Sequence, residues 1–475
     1  MPAKHGFTRN LTRTSGVAER YPAWSPDGKW IAYFSDRTGE YELTMRRSDG
    51  NGDEKTLTSM GPGFRYDIFW SPDSRKMAFV DQAMKIQYYD MDTDKVTVMT
   101  QGLYMFHGNL SGFRVSWSAD SRWATFARGV DNRNSAIFLY DTQERELHQV
   151  TAGFNGEAQP EFDPDGKYLY FLSNRTFRPS YSDMDNSWIY ANTTNVVAVP
   201  LQQDGVSPLA ARNDDEEIKD DEAENKDDEA DGDDGEAAEA DKDAAGDAGQ
   251  DAKKEAKGGG GKDKGKAGKG GQDKDKKPDP VEIDLADFER RAVVLPPAAG
   301  NYTDLRAVSG KVVYRRLPRT GAARPRGNGG GGFGGGGSVV YYDLKEREEK
   351  TVIDNIGGYE ISADGKSLIV ANRSGMAIIK LAPKQKMKDK LDVSGLKVTL
   401  DPRAEWRQIF NDAWRLERDY FYDPALHGVD WDAMKRRYGA MLDHAVTRWD
   451  VNFILGELIG ELNASHAYRG GGDTE

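Results

Sequence analysis

The segment Trp24-Ser25-Pro26-Asp27-Gly28-Lys29-Trp30-Ile31-Ala32-Tyr33-Phe34-Ser35 returns along the chain, and its period restricts the folds open to this sequence. Copies start at Trp70, Trp117 and Phe162, at intervals of 46, 47 and 45 residues, and a more diverged copy starts at Ile361. A period in the forties with several short strands per unit is the pattern of propeller blades. Each copy holds an aromatic, a turn of the Ser-Pro-Asp-Gly type and an apolar run. The proline presets φ, the glycine accepts positive φ, and the whole reads as a β-hairpin. Trp30 to Phe34 is almost wholly apolar, as suits a strand covered on both faces by neighbouring blades. The repeated aromatics are therefore expected in the core, where they carry the fold rather than chemistry.

Four blades are expected over residues 21–58, 67–100, 115–151 and 160–201, a fifth over 302–352 and a sixth from 359 to about 398. Residues 6–16 match the pattern that precedes the later repeats and are expected to form the outermost strand of a further blade. Such a strand either closes the ring by pairing with the last blade or marks a chain that starts inside a longer protein. The predicted fold class is mainly β: a six- to seven-bladed β-propeller over residues 1–400, then a small α-helical subdomain over 401–475.

Two insertions are expected to be disordered, at about 204–280 and 319–338. The first holds an acidic block and then a Gly/Lys block from Asn213 to about Pro280, too poor in large apolar residues to offset the entropy of ordering. Residues 291–295 read as the strand that completes the interrupted blade. The second, Gly-rich, insertion lacks the strand-to-helix context of a phosphate loop. The formal net charge of −14 is concentrated in the first insertion: residues 214–251 carry −17 and residues 252–277 carry +6. The remaining −3 points to neither nucleic acid nor a membrane surface as a partner.

The chain has no cysteine, which excludes disulfides, thiolate metal sites and a cysteine nucleophile. Its six histidines show no metal-ligand spacing, so no metal and no cofactor is expected. No apolar run reaches membrane-spanning length, and the first ten residues lack the core of a signal peptide.

At Asp401-Pro402 the apolar period changes from 2 to 3.6. A capping acid and a first-turn proline open a helix expected to bury Trp406, Ile409, Phe410, Ala413 and Leu416. Asp430 starts a second helix with Met434, Tyr438 and Leu442 on one face. The box Thr447-x-x-Asp450 starts a third, through Phe453, Ile454, Leu458, Ile459 and Leu462. Their aromatic faces call for a further packing layer, and the natural product is expected to continue past Glu475. The one candidate constellation is Ser465-His466 after the third helix. As a general base His466 needs a nucleophile within reach and a group that orients its ring, and no GxSxG elbow is present. His427, beside Gly428, reads as a loop residue.

The segments Glu405 to Phe410, Trp414 to Leu416, Arg418 to Pro424, His427 to Trp431 and Gly460 to His466 resemble the first catalytic subdomain of the tricorn proteases, a family of serine peptidases. The repeats resemble the propeller blades of that family and of the TolB proteins. By that resemblance His466 is the general base and Ser465 the serine that links it to a glutamate. The nucleophile, that glutamate and the oxyanion amides lie in a later subdomain outside these residues, so a fragment inactive by itself is implied. The resemblance further implies short peptides as substrates, a homo-oligomer (a hexamer in the family) and a cytoplasmic location, or a periplasmic one if a signal peptide precedes Met1. The main rival is a non-enzymatic TolB-like propeller that binds peptides or proteins, favoured if Ser465 and His466 are buried among apolar neighbours.

Overall fold

Among the described residues six antiparallel blade sheets follow one another along the chain, a two-stranded sheet of Ser180–Tyr181 and Trp188–Ile189 is inserted within the fourth, and three α-helices follow them. In this computed structural model residues 10–102, 110–177, 180–181, 188–189, 192–212, 278–319, 336–393, 395 and 398–472 are described. Blade 1 pairs Glu19–Trp24, Trp30–Ser35, Glu42–Arg47 and Lys55–Thr56. Blade 2 pairs Arg65–Trp70, Lys76–Asp81, Lys85–Asp90 and Lys95–Gln101. Blade 3 pairs Ser116–Trp117, Trp123–Gly129, Ser135–Asp141 and Glu146–Gln149. Blade 4 takes Glu157–Phe162, Tyr168–Ser173 and Asn195–Pro200, and regains its outer strand at Val293–Val294 after the first insertion. Blade 5 pairs Asn301–Val308, Lys311–Leu317, Gly337–Asp343 and Glu348–Ile356. Blade 6 has three strands, Gly358–Ile361, Ser367–Asn372 and Gly375–Lys380. The propeller is six-bladed.

The repeat carries the contacts between blades. In blade 1 the Ser25 hydroxyl donates to Asp27 and accepts from the Trp30 amide at 3.0 Å, which closes the turn; Ser71, Ser118 and Ser362 do the same in their blades. Where the glycine of the turn is replaced, Ser74 and Ser121 take φ of 60° and 63°. Their hydroxyls accept from the Asp27 and Asp73 amides of the preceding blade, which gives that strained conformation a use. Trp70 and Trp117 donate their indole N–H to the Ala23 and Phe69 carbonyls of the blade before, at 3.2 and 3.0 Å.

Apolar cores lie between blades 1 and 2, 2 and 3, 3 and 4, 4 and 5, and 5 and 6. Among the described residues none joins blade 6 to blade 1. Trp24, expected in the core, is for this reason 55% exposed: it faces the seam where no packed blade offers a carbonyl. The expected N-terminal strand is absent from described residues 10–16. The Asn10 side chain instead accepts from the Thr12 and Arg13 amides, a turn that competes with a sheet ladder, and the Leu11 carbonyl accepts from Arg46. Blade 6 also ends earlier than expected, with an isolated bridge from Ala377 to Lys390 at its edge.

The insertions are narrower than expected at their described edges. Residues 204–212 are placed: Pro208 is buried, the Tyr168 hydroxyl donates to the Val206 carbonyl at 2.8 Å and Arg347 donates to Ala210. Gly337 already starts a strand of blade 5. The expected disorder within 213–277 and 320–335 lies outside the described residues. No helix among the described residues is long and apolar enough to cross a membrane.

The inner strands of blades 1, 2, 4 and 5 each carry a bulge, with Tyr21, Asp67, Gln159 and Asp304 in the left-handed region. Bulges re-aim side chains, and the charged groups beside them meet across the propeller axis. Arg306 of blade 5 reaches Glu161 of blade 4 at 3.1 Å and Glu360 of blade 6 at 3.2 Å; Arg114, leading into blade 3, lies 4.0 Å from Glu360. Asp67 faces Tyr21, Arg114 and Glu360, and burial pushes its carboxyl from 3.8 up to about 7, opposed by Arg114 and reinforced by Glu360. Between those values the folded chain binds the proton more tightly than the unfolded chain. The contribution of Asp67 to stability therefore falls as pH rises from about 4 to about 7 and is constant on either side. Asp67→Asn is expected to stabilise the protein at about pH 8 and to leave it unchanged near its unfolded-state pKa or below, as urea unfolding at a series of pH values reads; an equal effect at both ends refutes the shift.

Candidate active site

Helix α1 (Pro402–Tyr420) is capped by Asp401, whose carboxylate accepts from the Arg403 and Ala404 amides. Helix α2 (Trp431–Met441) is capped by Asp430 in the same way, and helix α3 (Arg448–Gly460) opens on the Thr447/Asp450 box with both of its hydrogen bonds made. Phe410, Trp414, Trp431, Leu442, Ile454, Leu455, Leu458 and Leu462 form one core between them. Trp414 and Trp431 exchange indole N–H to carbonyl bonds, each 2.9 Å, and so lock α1 to α2. Leu416 and Phe453, expected inside, are 45% and 55% exposed; Asp412 and Arg415 are buried instead.

That exchange reflects a second buried stripe on α1, a charged one. Arg415 is bonded to Asp36 and to Asp412 at 2.9 Å each and donates to the Gly39 carbonyl at 2.7 Å. Asp412 also accepts from Arg20 at 2.6 Å and from the Tyr41 hydroxyl at 2.9 Å. Arg418 grips Glu40 through both terminal nitrogens, at 2.6 and 2.9 Å. Burial works against the Arg415 cation, yet Asp36 and Asp412 outweigh it and raise its pKa. The stripe seats α1 on blade 1 of the propeller. Gly16 fits here too: at φ +72° it lies so close to the first turn of α1 that a Cβ would come within 2.9 Å of the Ala404 carbonyl oxygen.

After α3 the chain makes two turns that carry Ser465 and His466, both exposed. Asn463 and His466 adopt left-handed φ of 48° and 63°. The His466 Nδ1 lies 3.2 Å from the Tyr468 hydroxyl. Among the described residues neither His466 Nε2 nor Ser465 Oγ has a hydrogen-bond partner, and no serine nucleophile stands beside the imidazole. The segment beyond runs back along α3, where Asn452 donates to the Gly471 carbonyl at 3.1 Å. The burial that would favour a purely binding role is therefore not what the structure places at this pair. His427 lies on the loop turn Leu426–Gly428, as expected, and its Nδ1 lies 2.8 Å from the Leu462 carbonyl. Its positive φ, +55°, is a conformational demand that a histidine next to a glycine does not announce.

The profile described as "Tricorn protease second beta propeller domain" matches residues 1–382, and that of the "Tricorn protease C1 domain" matches residues 402–460. "Tricorn protease homolog 1" of Streptomyces coelicolor is 24% identical over 98% of this chain and 40% of its own length. "Tricorn protease" of Thermoplasma volcanium is 22% identical over 94% of this chain and 36% of its own. The crystal structure of the tricorn protease superposes with a TM-score of 0.71 at 18% identity, over 95% of this chain and 38% of that one, and shares the fold. The chain spans about 40% or less of the length of these relatives.

Proposed function

This chain belongs to the tricorn protease family, and from that premise we propose that it forms part of a serine peptidase that cleaves short peptides, with residues 401–475 as its first catalytic subdomain. His466 is the general base and Ser465 links its ring to a carboxylate. The attacking serine, that carboxylate and the oxyanion donors belong to the part of the longer relatives that this chain does not span. In the reaction His466 takes the hydroxyl proton as the serine oxygen bonds to the scissile carbonyl carbon. The carbonyl electron pair moves onto oxygen, where backbone amides stabilise it, and the same proton then goes to the leaving amine.

The observation that carries this reading is the placement of His466: exposed, on a turn anchored to a packed helical core, with Nε2 open to an incoming group. A base accessible at one nitrogen to an incoming hydroxyl is what proton transfer needs. By the family resemblance the propeller acts as a sieve ahead of the site, presenting short peptides to it. A cytoplasmic homo-oligomer, hexameric as the resemblance implies, completes the reading.

The test is to read the gene beyond the codon for Glu475, express the extended product beside this chain and assay both on short fluorogenic peptides. Cleavage by the extended product alone supports the reading. A reading frame that stops at Glu475, or an extended product without peptidase activity, refutes it.

A further inference from the structure

We propose that His427 is a positioning residue for His466: the proton on its Nδ1, donated to the Leu462 carbonyl, holds the turn that presents Ser465 and His466. The inference deepens the peptidase reading and rests on it for its catalytic meaning, though not for its geometry. Leu462 is 1% exposed, its side chain in the helical core, and its carbonyl lies two residues past the end of α3, beyond the reach of the helical ladder. Ser465 and His466 follow three and four residues later. Between them and Leu462 the described residues offer no other external anchor; the Leu462 and Asn463 amides bond only back to Ile459 and Gly460, at 3.1 and 3.0 Å.

The brace is itself fixed. It sits on a short turn, Leu426–Gly428, between α1 and α2, with Leu426 buried in the helical core. The Asp423 carboxylate accepts from the Ala425 and His427 amides at 3.0 and 2.9 Å. The Phe421 ring meets the imidazole edge to face at 5.0 Å. A carbonyl only accepts, so Nδ1 carries the proton; Nε2 then accepts from the Tyr422 hydroxyl, which selects one neutral tautomer. The bond ties the turn after α3 to the loop between α1 and α2. Without it the turn that carries the base swings about the end of α3, and a displacement of about 1 Å costs about a hundredfold in rate.

His427→Asn and His427→Asp separate the donor from the rest of the ring. Both residues tolerate left-handed φ and have nearly the same shape, but asparagine keeps a donor at the δ position while aspartate turns an acceptor toward the Leu462 carbonyl. In this chain, amide hydrogen exchange at residues 461–463 is the readout. Asp is expected to speed exchange there about fivefold to tenfold and Asn to stay near wild type, with α3 itself unchanged. Should Asp unfold the helices, Tyr422→Phe replaces it: Tyr422 is 75% exposed, and loss of its hydroxyl is expected to loosen the same residues. In the extended polypeptide Asp is expected to lower kcat about a hundredfold with KM within about twofold, and Asn to restore most of it. Equal behaviour of Asn and Asp, or exchange unmoved by Tyr422→Phe, overturns the proposal. Because exchange is read without activity, failure of the brace is distinct from failure of the peptidase reading, which loss of His466 tests separately.

Discussion

Peptide hydrolysis by the extended polypeptide is expected to fall by about 10³-fold or more in kcat/KM when His466 is replaced by alanine, with the melting curve of this chain unmoved. The two halves have separate causes. A serine hydroxyl without its base is a weak nucleophile, and what activity remains comes from substrate binding and the oxyanion donors. Among the described residues the His466 ring is paired with Tyr468 alone, and it is exposed, so its removal leaves no cavity and no buried polar group. Residual activity within about tenfold of wild type removes His466 from the base role. A drop in melting temperature by several degrees shows instead that the side chain is structural.

Arg415→Met is expected to destabilise the chain by about 3–5 kcal/mol, the range for taking one partner from a buried ion pair. Arg415 is 3% exposed, and its guanidinium is shared by Asp36, Asp412 and the Gly39 carbonyl. Asp412 keeps Arg20 and Tyr41 as partners. Asp36 keeps the Ala18 amide at 2.8 Å and a longer contact of 3.4 Å from Gln408, so it becomes the poorly compensated charge. Adding Asp36→Asn to Arg415→Met is therefore expected to recover part of the loss, and urea unfolding of the two single variants and the double variant gives the coupling. A loss under about 1 kcal/mol puts the pair among solvent-screened surface bridges and ends the claim that it seats α1 on the propeller.

The propeller was legible because it repeats. A turn residue that needs φ near −65° followed by one that accepts positive φ, set before an apolar run, specifies a hairpin locally, and its return every 45 to 47 residues specifies a ring of blades. The helix starts were legible for the same reason: Asp401, Asp430 and the Thr447/Asp450 box cap with hydrogen bonds spanning two or three residues. The pair Ser465-His466 stands out as a candidate only through the family pattern around it, since a dipeptide on a turn has no chemical signature of its own.

What depended on the third dimension is whatever two distant segments share. Trp24 carries the same motif as Trp70 and Trp117, yet it is exposed because burial of an aromatic depends on the blade beside it. The stripe of Asp412, Arg415 and Arg418 has the composition of a solvated helix face. It is buried because Asp36, Glu40 and Tyr41, some 370 residues earlier in the sequence, supply the opposite charges and the hydroxyl. His427 became a brace only when the end of α3 came within 2.8 Å of it. Local sequence determined the turns, caps and apolar periods, because their energies arise within a few residues. Desolvation and charge pairing are set by neighbours the chain brings together only on folding, and they decided which charges are inside, which aromatic is left open and what holds the candidate base in place.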